Sequence, residues 1–173
     1  MDVFSRTFLP AAVAAGVTPS TVSRHIPVFR RCVESRDTTV LVARCTRLDR
    51  PMQGEYLLLL THQRLVVTQQ TRLLHRLRLH LNTELRHLSN VTWNADPQLG
   101  TVELAATAVD GIRERFLIKV GEPKQVWHLD ALLANAFRDR TATTPAALWG
   151  TRAATPVGTS EARNRSFNPA VAI

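Results

Sequence analysis

Residues 54–68 read GEYLLLLTHQRLVVT. Two apolar runs flank the polar pair His62–Gln63. Successive side chains of a strand point to opposite faces, so Leu57 and Leu59 point one way and Leu58 and Leu60 the other. A strand that is apolar on both faces needs cover on both. One leucine pair is expected in a core. The other requires helices, a second subunit or a ligand over it. Leu58 and Leu60 are assigned to that interface side, met by the N-terminal segment or by an oligomer contact.

Around this hairpin, period-two patterns recur. A first strand is predicted near Thr38–Leu48, followed by the loop DRPMQG at 49–54. The second runs from Glu55 to Thr61 and the third from Arg64 to Gln69. LLHRLRLHL at 73–81 reads as the fourth, with Leu77, Leu79 and Leu81 on one face and Arg76, Arg78 and His80 on the other. The fifth covers about Leu88–Asn94, the sixth Gly100–Thr107 and the seventh Ile112–Val120, with a hairpin signal in VDG at 109–111. The period then changes. Val126, Leu129, Leu132, Leu133 and Phe137 fall at helical spacing in EPKQVWHLDALLANAF, residues 122–137. Pro123 suits a first helical turn, and Glu122 favours the positive end.

The chain has 173 residues, 45% of them apolar, which fits one domain with flanking segments. Residues 1–36 read as helical, with turn signals at Gly16 and Pro19, and residues 37–139 as the strand-rich domain. Residues 140–173 hold few large apolar side chains and four Arg against Glu161. That basic tail cannot offset its ordering entropy by burial and is expected to be disordered. No apolar stretch approaches the roughly 20 residues of a membrane-spanning helix. The start MDVFSRTFLPAAVAAG contains an Ala-x-Ala at Ala12–Ala14, but Asp2 and Pro10 argue against a signal peptide. The expected location is the cytoplasm, including the inner membrane face. Cys32 and Cys45 lack metal-ligand spacing and are expected as reduced thiols.

Seven antiparallel strands followed by one amphipathic helix is the order of the pleckstrin-homology (PH) fold. YLLLLTHQRLVVT at 56–68 resembles the central hairpin of the bacterial PH-like family, and HLNTELRHLSNVTW at 80–93 resembles its fourth-to-fifth strand passage. The resemblance covers residues 37–138. It implies a mainly β, α+β fold: a seven-stranded antiparallel half-open barrel of two curved sheets packed nearly orthogonally. The C-terminal helix would plug it with Leu129, Leu132, Leu133 and Phe137, leaving Trp127 at the helix edge. The resemblance also implies self-assembly, because some bacterial members form rings.

The net charge is +8, and 20 of the 22 basic residues are Arg. Such a chain favours anionic partners. Between His62 and Leu88 lie Arg64, Arg72, Arg76, Arg78 and Arg86, opposed by Glu84 alone. His62, His75, His80 and His87 share the window. Residues 88–112 carry Asp96, Glu103 and Asp110 without a basic residue. A positive strand face is therefore expected, with Arg64, Arg72, Arg76, Arg78, His80 and Arg86 as candidate anion- or partner-binding residues. Same-face neighbours stand about 7 Å apart along a strand. The simplest reading is a solvated face. The functional one is docking of a protein partner or an anionic membrane, strengthened when the histidines protonate. DRPMQG holds one Arg and no Lys, so phosphoinositide binding of the eukaryotic kind is not implied.

AAVAAGVTPSTVSRHI at 11–26 resembles the helix-turn-helix of LacI-type repressors. That resemblance implies DNA contacts by Ser20, Thr21, Ser23 and Arg24. Pro10 would be a helix-start residue, and Pro27 would shorten the recognition helix. The alternative is a helix pair that covers the leucine strand, with Thr18 as a cap. There is no glycine-rich phosphate loop, no H-E-x-x-H and no zinc-spaced cysteine pair, so no catalytic residue, cofactor or metal is assigned. The sequence reads as a non-enzymatic PH-like scaffold or interaction module, with DNA binding as the alternative.

Overall fold

The computed structural model describes residues 2–49, 54–71 and 76–141. Arg72, His75 and the tail beyond Thr141 lie outside the described residues. Along the chain come α1 (Val3–Ala14), α2 (Pro19–Cys32), β1 (Thr39–Arg47), β2 (Glu55–Thr61), β3 (Arg64–Gln70) and β4 (Leu77–Glu84). A 3-10 turn (Leu85–His87) leads to β5 (Ser89–Asp96), β6 (Thr101–Thr107), β7 (Arg113–Lys119) and α3 (Pro123–Thr141).

All seven strands belong to one sheet in the order β4-β3-β2-β1-β7-β6-β5. Every pairing is antiparallel. This corrects the expectation of two sheets. β1 serves both halves, pairing with β2 over Thr39–Cys45 and with β7 over Cys45–Arg47. β4 and β5, consecutive in the chain, are the two edges, so the sheet is open between them.

The leucine strand is buried from Tyr56 to Thr61. Its inner face holds Leu58 and Leu60, which join Leu41, Val67, Leu104 and Phe116 in the larger core. Val126, Leu129, Leu133 and Phe137 of α3 complete that core, while Leu132 is only partly buried and Trp127 is 59% exposed. The outer face holds Leu57 and Leu59, packed with Val42 and Val66 under Phe4, Phe8 and Phe29 of the N-terminal helices. The expected assignment is therefore reversed. Leu58 and Leu60 are fully buried in the inner core and offer no interface. Alternation separates the two pairs. Cross-strand register decides the side, setting Leu58 against Ala43 and Leu60 against Leu41, both inner residues.

The N-terminal helices owe their placement to caps and aromatic packing. Asp2 caps α1 by accepting from the Ser5 N–H at 2.7 Å, and Thr18 caps α2 just ahead of Pro19. Gly16, at φ +63°, makes the turn between them. Phe4, Phe8 and Phe29 stack in series, with centroids 5.3 and 5.6 Å apart. Pro10 lies inside α1 rather than at its start, and α2 continues past Pro27 to Cys32, so neither proline ends a helix. Both sit on exposed faces. The cost of an interior proline, about 3 kcal/mol, is offset by burial of the three phenylalanines.

Two substitutions test this packing by urea denaturation. Leu59→Ala is expected to lower the unfolding free energy by about 2–5 kcal/mol, because it opens a cavity beneath α1 and α2. Gly54→Ala is expected to destabilise as well, since Gly54 has φ +142° and a Cβ there would collide with the Gln70 carbonyl.

Candidate functional site

The basic strand face is built on an irregularity. Val67 pairs with Leu81, but the next β3 residue, Thr68, pairs with Leu79. His80 is thus the extra residue of a β-bulge, which breaks the alternation of β4. Leu81 packs on the inner core, whereas Leu79 is 47% exposed. The expectation that Leu77, Leu79 and Leu81 share one face is corrected accordingly.

The bulge also removes His80 from the expected outer face. Its Nε2 lies 3.3 Å from Glu114 Oε2 and 3.2 Å from Arg47 Nη1. That single nitrogen can donate to the carboxylate or accept from the guanidinium, but not both. Its ring meets Tyr56 and Phe116 edge-on, at 5.4 and 6.1 Å. Arg47 binds Glu114 at 3.2 Å and grips Asp49 with two hydrogen bonds of 2.9 and 2.7 Å. This little-exposed network anchors the bulge to β1 and β7. Glu114 carried a legible signal, since it leads the Glu114, Phe116, Ile118 alternation of a core-facing strand side. Arg47 carried none.

The remaining predicted residues separate into two groups. Arg64 donates to Glu84 at 3.1 Å and to Asn82 at 3.2 Å, and Arg86 pairs with the same Glu84. These two arginines are held by their own strand neighbours. Arg76 and Arg78 are exposed, and no ion pair among the described residues involves either. They flank Leu77, the first residue of β4, an edge strand bonded to β3 alone that also carries the exposed Leu79. His62 and His87 are exposed.

At the N-terminus, Ser20, Ser23 and Arg24 are exposed on the first turns of α2. Thr21 is half-buried, with its N–H and hydroxyl held by Thr18 at 3.4 and 3.0 Å. The next inward residue, His25, escaped the sequence reading, although it lies one turn before the buried Phe29. It is buried against β3, with Nδ1 2.7 Å from Thr68 Oγ1. Thr68 in turn donates to the Leu57 carbonyl at 3.3 Å, which leaves its oxygen to accept from the imidazole Nδ1–H. Burial holds the His25 pKa below its usual value, outweighing a hydrogen bond with Gln70 that acts the other way; Arg24 lowers it further and Glu55 raises it slightly.

Cys32 and Cys45 are free thiols, and burial raises the pKa of both. Among the described residues, no cluster of His, Cys, Asp or Glu could hold a metal ion, and no helix is long and apolar enough to cross a membrane. Comparison with known proteins finds no matching family model, no matching curated protein and no matching solved structure.

His25 gives a pH prediction. The unfolded imidazole titrates near 6.5, and the folded one lies lower, so the fold binds fewer protons in acid. Its contribution is complete above that value and is lost as pH falls through about 6.5 toward the folded pKa. Urea denaturation at pH 7.5 and 5.5 should show a loss of stability in acid. A His25→Gln variant should show a smaller loss.

Proposed function

We propose that the chain is a non-enzymatic PH-like interaction module whose β4 edge docks an extended acidic segment of a partner protein. The order of seven antiparallel strands followed by α3 supports the PH-like part. One observation carries the docking part. Of the described arginines in the basic window, Arg64 and Arg86 already share Glu84, which leaves Arg76, just ahead of β4, and Arg78, within it, solvent-facing at the sheet edge.

An edge strand presents unpaired backbone donors and acceptors that an extended peptide can complete. Carboxylates two residues apart on such a peptide match the roughly 7 Å repeat of Arg76 and Arg78. Leu79 adds apolar contact. The little-exposed Arg47–Glu114–His80 network ties β4 to β1 and β7, and a platform ordered in advance loses little entropy on docking. Like charges disfavour pairing β4 with β4 of a second copy, since cations directly opposed across strands repel. A membrane ranks lower, because each basic residue adds only about 1 kcal/mol at an anionic surface and lipid-binding clusters hold 4–8 of them. The cytoplasm, where acidic protein segments are available, is the proposed location.

A second reading rests on α1, the Gly16 turn and α2. Ser20, Ser23 and Arg24 are exposed at the start of α2, where a DNA-reading helix presents its contacts.

Fluorescence anisotropy with a labelled peptide of alternating Glu and Val distinguishes these readings. Binding is expected at low salt and should weaken at least tenfold for Arg76→Glu/Arg78→Glu, about 1.4 kcal/mol. Peptide affinity unchanged in that double variant would sink the β4 reading. Salt-sensitive duplex binding lost in Arg24→Ala would replace it with the repressor-like one.

A further inference from the structure

A second site lies on the outer face of the sheet, where α2 ends its cover. Register builds it row by row. Thr68 of β3 pairs with Leu57 of β2, and Leu57 with Arg44 of β1. In the next row Gln70 pairs with Glu55. Across the β1–β7 seam, Thr46 pairs with Leu117 and Cys45 with Ile118. The pairing stops at Cys45, and the next residues on either side of the seam, Arg44 and Lys119, both line one cavity. On the outer face Arg44, Thr46, Glu55, Leu57, Leu117 and Lys119 line this cavity of about 230 Å³, walled on the α2 side by Thr21 and His25.

The charges in this cavity are unbalanced in a specific way. Arg44 and Lys119 are cations on either side of the β1–β7 seam that line the same cavity, and like charges brought together there favour an anion between them. Glu55 supplies a single carboxylate on the neighbouring row. Among the described residues, none of the three takes part in an ion pair. Leu57 and Leu117 form an apolar floor. The hydrogen bond from His25 to Thr68 fixes one wall. The volume is below the roughly 300–1,000 Å³ of drug-sized sites, which suits a molecule the size of one amino acid.

We propose that this cavity binds a small zwitterion of the α-amino-acid class with an apolar side chain. Its carboxylate bridges Arg44 and Lys119, its ammonium meets Glu55, and its side chain rests on Leu57 and Leu117. The two charge signs on adjacent rows select against simple acids and simple amines. The inference is independent of the β4 edge and uses none of its residues.

The test is isothermal titration calorimetry of the full chain with leucine, 4-methylpentanoate and 3-methylbutylamine. The last two lack the ammonium and the carboxylate respectively. Leucine is expected to bind, and each comparator to bind at least tenfold more weakly. Arg44→Gln and Glu55→Gln should each weaken leucine at least tenfold. Both positions are exposed, so circular dichroism should report an unchanged fold. Absence of leucine binding would overturn the proposal. So would a comparator binding as tightly as leucine, or leucine affinity indifferent to both substitutions.

Discussion

The structure depends on β2 being buried on both faces. Four leucines in succession cannot leave either face to water, so the sheet must carry a layer on each side. α3 supplies one layer and the α1–α2 pair the other. The three strands β1, β2 and β3 are shared by both cores. The remaining strands extend only the inner one. Removing either layer would expose a continuous apolar sheet face. The N-terminal helices are therefore part of the fold's minimum, although they precede the strand-rich region and resemble a separate module in sequence.

Much of this was legible. Strand positions follow from alternation, and the observed bounds of β2 match the expected Glu55–Thr61. The helix stripe of Val126, Leu129, Leu133 and Phe137 does enter the core. The side assignment of the leucines was not legible, because alternation is symmetric and only register breaks the symmetry. Pro10 and Pro27 misled, since their local cost is real but tertiary packing exceeds it. A bulge depends on how two strands pair, so the turn of His80 into the rim could not be read from β4 alone.

The candidate site followed the same division. A run of arginines is visible in sequence, but its free charge is a tertiary quantity. Glu84 neutralises Arg64 from across the β3–β4 ladder and Arg86 from two residues away. The exposed charge at that edge is therefore smaller and more localised than the composition implies. Conversely, Arg44, Glu55 and Lys119 lie far apart in the chain and belong to three strands. The β1–β2 pairing brings Glu55 beside β1, and the seam between β1 and β7 adds Lys119.

The two cores differ in how much of the chain each requires. The outer one draws on residues between Phe4 and Val66, and the inner one on residues between Leu41 and Phe137. A polypeptide emerging from the ribosome has every outer-core side chain available once β3 is made. The inner face of the same strands must then wait, uncovered, for about seventy further residues before α3 arrives. The nascent chain passes through a half-dressed sheet whose Leu58 and Leu60 are open to water, and that interval is when chaperone capture or aggregation has its opportunity.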